Sequence, residues 1–225
     1  MKDSMAKPKK TQLRVPLNRD RVLMQALQLA DESGIESFSM RKLAEALSVK
    51  AMSLYNHVKN KDDIIDGIVD IVASEIEVPD IGADWKASMR RRAKSAHDVL
   101  LKHPWATMEI VRRVNIGPAM LRYVDATIGC LREAGFSFEM ADHAWNAIDS
   151  HIYGFTLQEL NFPFEEEAYS EVAENYISLI PADRYPYLNG MTRQVMSGEC
   201  DGIHDFEFGL ELLLDGLETT LSESL

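Results

Sequence analysis

The chain has 225 residues, of which 46% are apolar and 27% charged, with two cysteines and a formal net charge of −12. That is enough apolar matter to bury a core, which excludes a disordered tail; no apolar run reaches the length of a membrane span, and none of signal-peptide length follows the basic start, so a soluble cytoplasmic protein is expected. Cys130 and Cys200 are too few for a disulfide framework and lack zinc-site spacing, so both are expected as reduced thiols, with no metal or other cofactor.

The charge is divided along the chain. Residues 1–63 hold 12 Lys+Arg against 8 Asp+Glu, and the remainder holds 12 against 28. A basic start on an acidic chain suits a protein of which one part must approach phosphates and the other must not. Residues 1–16 read as a basic flexible arm. Beyond it, apolar residues recur at spacings of three and four almost throughout, which predicts an all-α fold.

Asn18 is placed to cap a first helix whose buried face is Val22, Leu23, Ala26, Leu27 and Ala30, with Gly34 as its left-handed exit. Ser39 caps a second, buried through Leu43, Ala46 and Leu47. Ser48 and Val49 make a break, a third helix runs from about Ala51 to His57, and Asn60 opens a fourth with Asp62 and Asp63 in its first turn. Two helices joined by so short a turn, the second polar on its outer face, describe a helix-turn-helix reader of the DNA major groove. With Leu54 and Val58 inward, Lys50, Ala51, Met52, Ser53, Asn56 and His57 face outward or sit at the helix start, where base edges would be met; Tyr55 and Lys61 would reach phosphate.

The stretch SFSMRKLAEALSVKAMSLYNHVKNKDDIIDGI resembles the DNA-binding domain of the tetracycline-repressor (TetR) family, over roughly Leu17 to Ile76. Carried over position by position, the resemblance implies Arg41, Ala51, Met52, Ser53, Tyr55, Asn56, His57 and Lys61 as DNA contacts. Ser48 stands where the family often has glycine. The second half resembles the tetracycline-repressor C-terminal type in DWKASMRRRAKSAHDVLLKHPWA, LREAGFSFEMADHAWNAIDSHIYGF and FEFGLELLLDGLETTL. This implies a helical core that binds a small molecule and pairs with a second copy through a four-helix bundle. The expected division is a helix-turn-helix domain at residues 17–76 and a larger ligand-binding and dimerisation domain at 77–225.

On the helices that surround the family's ligand cavity fall Trp85, His103, Trp105, Met108, Thr127, Trp145, Asp149, Ser150 and Tyr153, a mixture of aromatic walls and polar handles. In the run Arg90, Arg91 and Arg92, the last shares a face with Trp85, Met89 and Ala96 and is the one placed to meet an acidic ligand. Drug-binding members chelate a magnesium-tetracycline complex through a histidine for which this chain has Ser150, with His151 one step round, which argues against tetracycline itself. The last helix carries two apolar stripes. Phe206, Leu210, Leu213, Leu214, Leu217 and Leu221 form one, and Gly209, Leu212 and Gly216 the other. One small domain cannot cover both, so Leu210, Leu213, Leu214 and Leu217 are expected at a dimer interface.

Glu139, His143 and His151 share a helix face at spacings of four and eight, but without a His-Glu-x-x-His or cysteine pair a metal site is not expected. The expected function is a ligand-responsive regulator, a repressor that a small-molecule inducer releases from a palindromic double-stranded operator. The alternative, a helical enzyme acting on a small molecule, would need a nucleophile, a base and oxyanion donors, and no such constellation is evident.

Overall fold

The computed structural model describes residues 16–114, 116–163, 168–200 and 205–223. These hold eleven α-helices and no strand among the described residues, as the spacing of apolar residues predicts. The basic arm, but for Pro16, lies outside them. The chain divides into two compact units between Ile68 and Val69.

In the first unit, α1 (Arg19–Ser33) starts where the Asn18 side chain accepts from the Arg21 amide, and it buries Val22, Leu23, Ala26, Leu27 and Ala30. Gly34 closes it at φ 74 with its N–H donated to the Ala30 carbonyl; its ψ of 153 is extended, so the chain leaves straight into a 3-10 turn at Ile35–Ser37 instead of in a left-handed helical cap. Next, α2 (Met40–Ala46) is capped by Ser39 and buries Leu43 and Ala44. Ala46, expected inward, is exposed. Leu43 and Leu47 stay on the buried face as expected, and Ala44 takes the flank beside them that Ala46 was expected to fill.

Ser48 takes the positive φ of 55 that the turn requires. The following α3 is only Ala51–Leu54, shorter than expected, because Leu54 buries itself fully and its carbonyl accepts from both His57 and Val58 as the chain turns to bury Val58. Asn60 then accepts from the Asp63 amide at 2.8 Å and opens α4 (Lys61–Glu75). The Asp63 carboxylate also takes the Lys59 amide and both ends of the Arg19 guanidinium, which ties the start of α4 to the start of α1.

The second unit contains the last turns of α4, then α5 (Trp85–Lys102), α6 (Pro104–Val111), α7 (Pro118–Glu133), α8 (Phe138–Leu160), α9 (Tyr169–Tyr176), α10 (Pro186–Ser197) and α11 (Phe206–Glu223). Proline opens α6, α7 and α10, where its missing N–H costs no helical bond. Helix α8 packs against α5, α6, α7 and α11, while α9 and α10 pack on each other.

A ladder of opposite charges sets α11 antiparallel to α5. Lys86 meets Asp215 and Glu218, Arg90 meets Glu211, and Lys94 meets Glu207. Beneath it Leu210 and Leu214 are fully buried within their own chain. These two, expected to face a second copy, instead hold the helix to its own unit. Leu213 and Leu217 are half-buried; of the second stripe Leu212 and Gly216 are exposed and Gly209 is half-buried, and Phe208 beside it is exposed.

Candidate DNA-reading face and effector site

Around α3 the structure separates a buried side from an exposed one. Lys50, Ala51, Met52, Tyr55 and Asn56 are exposed, while Ser53 and His57 are half-buried. Met52 is the most open of these apolar groups at 75% exposure, so its thioether stands clear of the core. Arg41 is exposed on α2 and pairs with Glu45 at 3.5 Å. Lys61 is exposed too, although its ammonium donates to the Phe38 carbonyl at 3.0 Å and lies 5.6 Å from the centre of that residue's ring. An ammonium has three N–H groups, so this one bond leaves donors for a phosphate.

In the second unit, the residues expected around a ligand do not form one site. Arg92, Trp145, Asp149 and Tyr153 come together. Arg92 is fully buried on α5 and its Nη2 donates to Asp149 Oδ1. The other carboxylate oxygen accepts from Trp145 Nε1 at 2.7 Å and from the Tyr153 hydroxyl at 3.3 Å, the three side chains lying one helical turn apart on α8. The Tyr123 ring of α7 lies under the guanidinium, 4.6 Å from its central carbon. Burial pushes the Tyr123 and Tyr153 phenols well above their ordinary range and keeps both neutral; burial opposes the charge on Arg92 as well, but the Asp149 carboxylate holds it protonated. Nε and Nη1 of Arg92 are buried with no hydrogen-bond partner.

Thr127 is buried near this group in sequence, its hydroxyl donated to the Tyr123 carbonyl. Tyr123, which sequence reasoning missed, sits one turn before Thr127 and could have been found from that spacing. His103 and Trp105 form a second group at the α5–α6 junction; both are buried, and His103 Nε2 lies 3.5 Å from Glu75, which also takes Lys102 at 2.5 Å. Trp85 packs edge-on against Phe136 at 5.0 Å. Met108 and Ser150 are exposed and join none of these contacts. A separate apolar groove of about 510 Å³ runs between α9 and α10, lined by Tyr169, Tyr176, Leu188, Met191 and Cys200 among others, and holds none of the expected ligand residues.

The weighed metal trio is not assembled: Glu139 and His143 are 4.0 Å apart on the surface, while His151 Nε2 donates to the Phe206 carbonyl at 2.9 Å. No group of three possible metal ligands occurs among the described residues. Nor is any helix among them long and apolar enough to cross a membrane.

The Arg run distributes itself among three partners. Arg90 pairs with Glu211, Arg91 with Glu77, and Arg92 turns inward to Asp149. The last turns of α4 are fastened to this unit as well. Asp70 Oδ1 accepts from the amides of Ala119 and Met120, each at 2.9 Å, and so caps α7 from outside. Gly117 is required there, since a Cβ at that position would stand 2.2 Å from the same oxygen.

Comparison with known proteins matches both units. Residues 22–68 match the bacterial regulatory proteins of the tetR family, and residues 78–221 match the tetracyclin repressor-like C-terminal domain. An HTH-type transcriptional regulator of Saccharopolyspora erythraea is 31% identical over 206 residues, covering 91% of this chain and 86% of the relative. The HTH-type transcriptional repressor DrrR1 of Streptomyces coeruleorubidus is 28% identical over 220 residues, covering 92% and 79%. Among solved structures, ActR of Streptomyces coelicolor in complex with actinorhodin superposes with a TM-score of 0.78 at 28% identity, covering 92% of this chain and 99% of that one. With an exposed helix-turn-helix face in one unit, a buried polar cluster in the other, and regulators matched along nearly its whole length, the chain belongs to the TetR family of ligand-responsive DNA-binding transcriptional regulators and is not an enzyme.

Proposed function

We propose that the chain acts in the cytoplasm as a homodimeric repressor, released from a palindromic operator when a small molecule binds in its second unit. The DNA-reading set is Arg41, Lys50, Ala51, Met52, Ser53, Tyr55, Asn56, His57 and Lys61, within a domain of residues 17–76. The effector set within residues 77–225 centres on Arg92, Trp145, Asp149 and Tyr153, with Trp85, His103, Trp105, Met108, Thr127 and Ser150 around it. Leu213 and Leu217, with Phe208 and Leu212 beside them, offer the apolar surface for a second copy.

The observation that carries this reading is the placement of α4. It is one unbroken helix from Lys61 to Glu75, its first turns in the first unit and its last in the second. Asp70 fastens those last turns to the start of α7, the helix that also carries Tyr123 and Thr127. A ligand that displaces α7 therefore biases α4, and with it the recognition helix. Two recognition helices must meet half-sites about one helical turn of DNA apart, so a small change at the pivot spoils simultaneous docking.

The test is operator release. A duplex is selected from random DNA by the chain itself, and compounds are screened for its dissociation. Trp145→Ala should bind that duplex as the native protein does but fail to be released by the inducer found. The inducer should also bind free protein more tightly than DNA-bound protein by the same factor by which it weakens DNA binding. Loss of operator binding by Trp145→Ala in the absence of inducer would assign the residue to core packing and remove it from the effector site.

A further inference from the structure

We propose that Met52 reads the 5-methyl group of a thymine, so that a methylated pyrimidine at one position of each half-site is a condition of tight operator binding. The inference rests on the reading of the first unit as the DNA-binding domain and names the base chemistry that one of its residues selects.

The recognition helix is a single turn, Ala51–Leu54. Leu54, fully buried, fixes its underside. Two backbone bonds fix its start, one from the Val49 amide to the Ala44 carbonyl at 2.9 Å and one from the Ser53 amide to the Lys50 carbonyl at 2.8 Å. Met52 precedes Leu54 by two residues, about 200° round the helix, and so stands on the side away from the core. Its side chain is 75% exposed, and Ala51 beside it is exposed as well. An apolar step therefore occupies the start of the helix, the part that meets base edges when such a helix enters the major groove.

Chemistry limits what such a step can select. A thioether donates no hydrogen bond and accepts only weakly. A polar base edge that it covers loses its water and gains no partner in return, and this cost falls on the N7 and O6 of guanine, the N4 amine of cytosine, and the N7 and N6 of adenine. Thymine presents the one apolar group in the major groove, a 5-methyl that gains by leaving water. The unbranched methionine chain can bend to meet it. One side chain thus favours thymine and disfavours the other three bases without making a hydrogen bond of its own. Cytosine gains the same group only when it is methylated at carbon 5, so the feature recognised is the methyl and not the base that bears it.

The experiment uses the full-length chain and the duplex that it selects from random DNA. Each thymine in turn is replaced by uracil, which differs only in lacking the methyl. At one thymine in each half-site the replacement should weaken binding about fourfold, the worth of one buried methyl group. With cytosine·guanine placed at that position instead, 5-methylcytosine should bind about fourfold more tightly than cytosine, for the same reason. Met52→Gln, made at an exposed position that leaves the core untouched, should abolish both differences there, and Met52→Leu should keep them. If Met52→Gln binds too weakly to titrate, Met52→Ala takes its place and should show the same loss. A duplex with no thymine sensitive to uracil, a uracil penalty unchanged in Met52→Gln or Met52→Ala, or a cytosine methyl without effect each overturns the proposal. Those results leave a chain that selects a duplex standing as a regulator, whereas a native chain that selects none sinks the DNA-binding reading itself.

Discussion

At Ser48 a side chain with a Cβ is held at φ 55, where the left-handed backbone crowds every residue but glycine. Ser48→Gly should therefore stabilise the first unit by about 0.5–1 kcal/mol, and Ser48→Val should destabilise it by about 1–2 kcal/mol. Urea unfolding of the three proteins would check this, and equal midpoints would mean that the turn relaxes at no cost. On the recognition face the two kinds of contact should separate by their effects. Asn56, exposed just beyond α3, should read a base, so Asn56→Ala should relax the preference at one operator position by roughly 1–3 kcal/mol. Lys61→Ala should instead weaken all sequences alike and lower the salt dependence by about one unit, since a phosphate contact holds no base information. An unchanged salt slope would leave Lys61 with its Phe38 carbonyl as a purely structural residue. In the second unit, Arg92→Met strands Asp149 without its cation and should cost about 3–5 kcal/mol, whereas the paired replacement with Asp149→Leu should cost much less.

Among the elements, α7 and α4 are joined by a single oxygen of Asp70, and the fit there is close. Gly117→Ala should force Asp70 aside at a cost of about 1–3 kcal/mol, and either it or Asp70→Ala should weaken the effect of inducer on DNA more than it weakens DNA binding itself. Full inducibility in both would take the signal away from this junction. At the other end of α5, His97 lies between Thr156 at 2.9 Å and Glu159 at 3.1 Å and stacks on Phe206, the first residue of α11. Burial holds its imidazole below the ordinary 6.5, against the opposing pull of Glu159. The unfolded chain then takes up the proton first, so this group's contribution to stability is full above pH 6.5 and declines as pH falls through that value toward the lower folded one. Thermal midpoints across this range should show the decline in the native protein and a flatter profile in His97→Gln; identical profiles would rule the residue out.

The helices with local start signals were legible in the sequence, because Asn18, Ser39 and Asn60 act on amides only three residues away. The end of α3 was not, since it is set by the burial of Leu54 and Val58 and not by any terminating residue. Arg92 could be singled out by its helical face, but its partner lies 57 residues away, and Tyr123 looked like any aromatic on an amphipathic helix. Leu210 and Leu214 mark the same limit, as an apolar stripe has one periodicity whether its neighbour is its own domain or another copy.

For the molecule as a whole, the division of charge follows the division of labour: the basic residues gather toward the start of the chain with the recognition face, and the acidic surplus lies in the second unit. The acids of α11 are partly used up on α5, where Lys86, Arg90 and Lys94 align against them, which orients the apolar stripe of Phe208 and Leu212 away from the helix's own partner. Leu212→Glu should accordingly break a dimer while leaving the chain folded, and operator affinity should fall with it, because one half-site gives up the avidity of two. A variant that still sediments as a dimer would move the interface off this stripe. The most direct measurement is the stoichiometry and spacing of the complex with DNA selected by the native chain from random duplexes. The account predicts a palindrome, with half-sites separated by about one helical turn or a multiple of it and two chains bound per duplex. Enrichment of no palindrome, or saturation by a single chain, would contradict it.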